Sequence, residues 1–301
     1  MNWTKKNAIR KTPEDHIINT FAAVVCLLVM LISIYPIYYC LINSFNDGKD
    51  AIKGGIYLWP RVFSLENYKT VFREDTLLRA FVMTVLRTVV GSGLHILFTA
   101  MTAYAFSRRD LMFRRFYVAL GIITMYVGGG IIPTYLLYRS LKLINTFWVY
   151  VIPGMFSFYN MILMMNFFRQ LPEALVESAR IDGASHFTVF RKVVMPLSPP
   201  VIATVALFVG VNHWNDWYAP AYYIMDEELM TMPATLLRLL NEADAQQKLA
   251  QLYGQLQTRP TVTLESVRYA TLIVSVMPIT ILYPFLQKYF IQGMMIGSVK
   301  E

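Results

Sequence analysis

The stretch Pro172 to Pro199, PEALVESARIDGASHFTVFRKVVMPLSP, is the longest polar interval between apolar runs on one side of the hydropathy pattern. Pro172 suits the first turn of a helix, where its missing N–H costs nothing, and Glu173 complements the positive end of the helix dipole. Leu175, Val176 and Ala179 recur at helical spacing, which predicts a short amphipathic helix over 172–182. Gly183 permits the left-handed turn that ends it. Ser185 can cap a second helix with Phe187, Phe190, Val193 and Val194 as its apolar side, before Pro196 and Pro199 stop it. The pattern is a helix-turn-helix lying across a membrane surface, with Glu177 and Asp182 available to a partner. An interfacial hairpin without a partner has the same pattern.

On either side of this hairpin the 301-residue chain is 56% apolar and only 15% charged, whereas a soluble domain sits near a quarter charged. Several runs exceed the ~18 apolar residues that cross a bilayer. The expected fold is an all-α polytopic membrane protein with six transmembrane helices, at about 17–43, 80–106, 116–138, 146–168, 200–219 and 268–291. The third contains Gly128-Gly129-Gly130 and Pro133, so a break or kink is expected there. The first run is too long for a signal-peptide core and lacks a small-residue cleavage site, so it is expected to remain as a span. This divides the chain into an N-terminal tail (1–16), a six-helix domain (17–291) with outer loops 44–79 and 220–267, and a C-terminal tail (292–301).

Six spans put both tails on one side, and Lys/Arg distribution decides which. With the tails in the cytosol, the inner segments carry a clear excess of basic over acidic residues, while the outer ones are near balance. The short turn bearing Arg108, Arg109, Arg114 and Arg115 weighs most. The net charge of +8 therefore reports orientation and not nucleic-acid binding. Cys26 and Cys40 lie fourteen residues apart in the first run. On one helix that is about 21 Å, beyond disulfide reach.

The hairpin also resembles the cytoplasmic loop of inner-membrane permease subunits of ABC importers. That signature reads Glu-Ala-Ala, three residues, Gly, nine residues, Ile, one residue, Leu-Pro. Here Glu177-Ser178-Ala179 precedes Gly183, and Val193-Val194-Met195-Pro196 follows at the same spacing, with Ser178, Val193 and Met195 as mild departures. Other elements extend the resemblance over nearly the whole chain. Leu65-Glu66-Asn67-Tyr68 precedes the second span and Ala103-Tyr104-Ala105-Phe106-Ser107-Arg108 closes it. Trp214-Asn215-Asp216-Trp217 ends the fifth span, and the Tyr289-Phe290 to Lys300 tail is spotted with Gly293 and Gly297.

The chain is thereby similar to the maltose-type carbohydrate permeases, in particular their complex-oligosaccharide branch, associated with rhamnogalacturonan or alginate fragments. The resemblance implies the type I importer permease fold in a bacterial cytoplasmic membrane. It implies a homologous second permease, two ATP-binding cassette subunits carrying ATP–Mg, and an extracytoplasmic solute-binding protein. It implies that Glu177, Ser178, Ala179, Asp182, Gly183, Ala184 and Ser185 meet the ATPase. In the maltose-type subunit the glycine-spotted tail dips into the nucleotide-binding dimer; by composition alone that tail reads as disordered.

The residues themselves carry no chemistry. Gly48-Lys49-Asp50 lacks the leading glycine and the hydroxyl of a phosphate-binding loop, so ATP work requires another subunit. His16, His95, His186 and His213 show no metal-ligand spacing, and no Ser-His-Asp arrangement appears, so neither a metal nor a catalytic site is expected. A membrane-embedded glycosyl or lipid transferase would display an acidic or metal-binding cluster, and none is visible; a passive channel is the other rival.

Trp214, Asn215, Asp216 and Trp217 admit two readings, interfacial anchors or the mouth of a sugar pathway. Arg87 and His95 are costly in lipid and are expected to face the bundle interior. Arg87 can instead snorkel, and His95 can bond a neighbouring helix. The run 226–257 has leucines at helical spacing, read either as a partner-binding arm or as a helix packed on the span ends.

Overall fold

The computed structural model describes residues 13–51, 53–73, 75–108, 110–241 and 264–298. The described residues are helical, with a single isolated bridge between Asn46 and Phe63 and no strand. The leucine pattern at 242–257 and the extreme termini lie outside them.

Two compact units emerge from packing, Met1–Lys69 with Gln257–Ile273 and Thr70–Leu256 with Val274–Glu301. The first contains α1 (Pro13–Ser44), an apolar helix of 32 residues with exposed flanks, and the short α2 (Gly48–Ala51). Here the Leu65-Glu66-Asn67-Tyr68 element finds its physical meaning. Helix α3 (Glu66–Arg73) starts where the Ser64 hydroxyl accepts from Glu66 N–H. The buried Asn67 amide then donates to Ser44 O at 2.9 Å and Asn46 O at 2.8 Å, and Tyr68 bonds the Ser44 hydroxyl. The orphan carbonyls at the end of α1 are satisfied by a side chain more than twenty residues downstream. Asp50 anchors the same segment through Arg61 and Lys53. Burial raises its carboxyl, but the Asn46 amide and the two cations outweigh that and hold it below the ordinary carboxylate range.

The second unit is built around α4 (Asp75–Ser107), which packs along α8 (Phe158–Gln170) and α11 (Pro199–Asn215). Its close-approach face carries small residues. Gly91 receives the His213 ring of α11, to which an added Cβ would come within 2.6 Å. The core between these helices holds Ala100, Ala103, Met161, Met164, Val201 and Val205.

Among the described residues three helices are long and apolar enough to cross a membrane, α1, α4 and the Ser266–Pro284 part of α14 (Leu264–Ser298). Two bent helix pairs have that length and apolarity only when taken together. The expected third span is α5 (Arg114–Tyr126) and α6 (Ile131–Ser140) at 115°, broken at the glycine run, where Gly130 takes φ 75°. The expected fifth span corresponds to α11, and the hairpin's second helix meets it at an 88° bend around Pro196 and Pro199.

The expected fourth span differs most from a simple rod. It contains α7 (Trp148–Val151), a break at Pro153-Gly154, and α8, which is only 13 residues long. At 1.5 Å per residue α8 covers about 20 Å, short of the ~30 Å hydrocarbon core. The glycine-spotted 288–298 segment continues α14 as helix with no break at 291.

Candidate coupling loop and translocation cavity

The hairpin forms two helices, α9 (Glu173–Ile181) and α10 (His186–Val189). Pro172 sits at the N-cap, one residue before the first turn anticipated for it. Gly183 takes φ 80°, its N–H donates to Arg180 O at 3.0 Å, and Ala184 N–H donates to Ala179 O at 3.0 Å. Those bonds make a Schellman turn, which requires the left-handed residue that glycine supplies most readily. The Ser185 hydroxyl accepts from Thr188 N–H at 3.2 Å, the expected cap. The chain then widens into a π-turn at Phe190–Val194, closed by Met195 N–H donating to Phe190 O at 2.9 Å.

One face of this hairpin is clamped to the bundle. Val176, Val189, Phe190 and Val194 are buried against a core that includes Tyr104 and Met164, with the Tyr104 and Phe190 rings 5.5 Å apart. Full burial of such side chains is worth about 1.5–3 kcal/mol each, which holds this face of the hairpin to the bundle. The opposite face is open. Glu177, Ser178, Asp182, Gly183 and Ser185 are exposed, while Ala179 and Ala184 are half-buried beneath them. Leu175 and Phe187, which the periodicity assigned to the apolar side, are instead 45% and 60% exposed, and Ile181 is 81% exposed. The surface around Gly183 is therefore apolar and acidic together.

A cavity of about 680 Å³ opens among α4, α6, α7, α8, α11 and α12 (Tyr218–Tyr223). Arg87 on α4 is only 2% exposed, and its guanidinium pairs with the Asp216 carboxylate and donates to Asp216 O at 3.1 Å. It also lies 4.3 Å from the centroid of the Tyr150 ring. Asp216 in turn caps α12, its other oxygen accepting from Tyr218 N–H at 2.8 Å and Ala219 N–H at 3.1 Å. Arg87 thus does not snorkel; it is a buried cation held by a carboxylate from another helix.

His95 is bound at both nitrogens, to Gly154 O at 2.6 Å and to the Asn160 side chain at 2.9 Å. The Asn160 amide donates to Nε2 and the Nδ1–H donates to Gly154 O, so the ring ties α4 to α8. Burial pushes the Tyr223 hydroxyl at the cavity rim up to about 12, with Tyr218 adding to the effect, so it stays a neutral donor.

Of the four residues that sequence reasoning grouped at this mouth, only Asp216 lines the cavity. The Trp214 indole is buried, donates to Ser275 O at 2.9 Å, and meets the Phe81 ring edge-on. Asn215 and Trp217 are exposed on other sides of the helix end. The stripe that does line it is Val209, Asn212, His213 and Asp216, a helical period legible in the sequence. Among the described residues no group of three or more His, Cys, Asp or Glu converges as metal ligands would, and both cysteines are free thiols.

Residues 17–296 match the family described as binding-protein-dependent transport system inner membrane component. The chain belongs to that family. Protein LplC of Bacillus subtilis is 37% identical over 269 residues, covering 89% of this chain and 90% of its own. The polygalacturonan/rhamnogalacturonan transport system permease protein YtcP of the same bacterium is 32% identical over 274 residues, covering 91% and 95%. Among solved structures, a chain from a bacterial ABC transporter involved in import of the acidic polysaccharide alginate superposes with a TM-score of 0.83 at 27% identity, covering 93% of this chain and 99% of that one. The hairpin and cavity therefore belong to an ABC importer permease, a membrane transport subunit with no ATPase site of its own.

Proposed function

We propose that this permease forms half of an oligosaccharide pathway and takes its driving force through the 172–199 hairpin. The observation that carries the reading is the open face around Gly183, where Glu177, Asp182, Ile181 and Phe187 are exposed while the opposite face is locked into the bundle. A body seated there moves the bundle with it. In this reading the chain crosses the membrane six times with both termini in the cytosol, the bent pair α5–α6, the α7–α8 pair and α11 each counting as one crossing. The partners are a homologous second permease, two ATPase subunits binding ATP–Mg, and an extracytoplasmic binding protein. Glu177, Ser178, Ala179, Asp182, Gly183, Ala184 and Ser185 seat the ATPase, and its closure drives alternating access.

The cargo is an oligosaccharide, by the kinship with YtcP, a polygalacturonan/rhamnogalacturonan permease, and with the importer of the acidic polysaccharide alginate. The cavity suits sugar hydroxyls. Tyr138, Tyr159 and Asn212 offer phenol and amide groups, and Tyr218 offers a ring face. Arg87 is neutralised by Asp216, so this half of the pathway reads hydroxyls more than carboxylates. The test is ATP hydrolysis by the reconstituted importer with its binding protein over a panel of pectin- and alginate-derived oligosaccharides. Stimulation by at least one of these sugars is expected; a permease that copurifies with no ATPase, or an importer deaf to every saccharide, overturns the reading.

A further inference from the structure

Beyond the transport pathway, four helix ends meet in a recess of about 250 Å³ lined by Ser107 and Arg108 at the end of α4, Arg114 at the start of α5, Arg169 in the last turn of α8, and Glu173 and Val176 of α9. Three guanidinium groups share this recess with one carboxylate. Arg169 donates to Phe106 O at 3.2 Å, and the Arg108 guanidinium lies 4.9 Å from the Tyr104 ring centroid. The Nε atoms of Arg108 and Arg114 are shielded from solvent yet have no hydrogen-bond partner. A shielded donor on a cation left without an acceptor is costly, and an anion entering the recess would relieve it.

The chain on either side of Arg114 says which anion. Met112, Phe113 and Phe116, all within two residues of Arg114, stand 74%, 72% and 64% exposed. Phe113 takes φ 54°, a left-handed conformation that a bulky aromatic residue rarely adopts, and it holds the ring outward. A dissolved anion has no use for an apolar lip; a headgroup attached to acyl chains does. We infer that this recess binds the phosphate of an acidic phospholipid, with the guanidinium groups on its oxygens and the Met112–Phe116 lip against its chains. Basic recesses between membrane helices take such headgroups elsewhere. Because Glu173 and Val176 belong to the hairpin, an occupied recess also braces α9 against α4 and α8.

The purified importer in neutral detergent is titrated separately with short-chain phosphatidylglycerol, short-chain phosphatidylcholine and inorganic phosphate, reading permease unfolding temperature. Phosphatidylglycerol is expected to raise it saturably, and the other two to leave it unchanged. Arg114→Gln is expected to weaken phosphatidylglycerol about fivefold and Arg108→Gln with Arg114→Gln about 30-fold, while Arg139→Gln, on the exposed end of α6, changes nothing. Should the double variant fail to fold, Arg114→Gln alone decides. Phe113→Ser is expected to weaken phosphatidylglycerol. Equal binding of phosphatidylcholine, phosphate binding as tightly as the lipid, or unchanged lipid affinity in Arg114→Gln would each overturn the inference. So would a variant that keeps the lipid but sheds the ATPase, since the arginines would then serve a protein partner.

Discussion

In the cavity, polar groups are turned on one another. Arg87 lies on Asp216 and Tyr150, His95 lies between Gly154 and Asn160, and Asp216 also caps α12. Around Gly183 the arrangement is reversed, with acidic and apolar side chains facing outward above a buried seam. The difference follows from solvent. Inside the bundle an unmatched charge has no water to fall back on, so each must be paired within the chain. At the hairpin water supports exposed polar groups until a partner replaces it. Substitutions in the first region should therefore register as stability, and those in the second as coupling.

The largest effect is expected at Asp216. Asp216→Ala leaves Arg87 buried without its partner and should cost about 3–5 kcal/mol, read as a fall in unfolding temperature in detergent. Arg87→Met combined with Asp216→Asn should recover most of that loss, and equal damage from the single and double changes would break the pairing argument. Next comes Gly91→Ala, whose methyl would stand 2.6 Å from His213 Nε2. It should cost about 1–3 kcal/mol unless the ring swings into the cavity, in which case transport suffers while the fold holds.

Smaller again is Ser185→Ala, which removes the α10 cap and should cost about 1 kcal/mol locally, visible as faster amide exchange at Thr188. The smallest concerns Asp50, whose carboxyl is held below its ordinary value. A depressed folded-state value stabilises above the unfolded one and is lost as pH falls. The segment between α1 and α3 should therefore loosen as pH drops below about 3.8, and Arg61→Gln should flatten that dependence.

How much of this was legible varies residue by residue. The Gly183 turn and the Ser185 cap could be read directly, because a Schellman turn and an N-cap are local and depend on residue type at fixed offsets. The glycine break between α5 and α6 was legible for the same reason. Asn67 could be read only as part of a helix start, since its acceptors lie more than twenty residues upstream. The Trp214 to Trp217 grouping followed adjacency in sequence, whereas a helix spreads adjacent residues around its axis; the 209, 212, 213, 216 stripe was the better guide. The Arg87–Asp216 pair joins residues 129 positions apart, and no local signal carries that distance.

The sharpest test lies at Gly183, because a Cβ added there meets nothing in this chain within 4 Å. Aspartate tolerates the left-handed conformation better than most residues, so the strain that φ 80° imposes stays at about 1 kcal/mol and local to the turn. Uptake by the reconstituted importer carrying Gly183→Asp, measured beside the permease's own unfolding temperature, separates a docking defect from a folding one. A slightly lowered unfolding temperature with uptake abolished is the predicted outcome. Normal uptake by the same variant would contradict transmission through this hairpin.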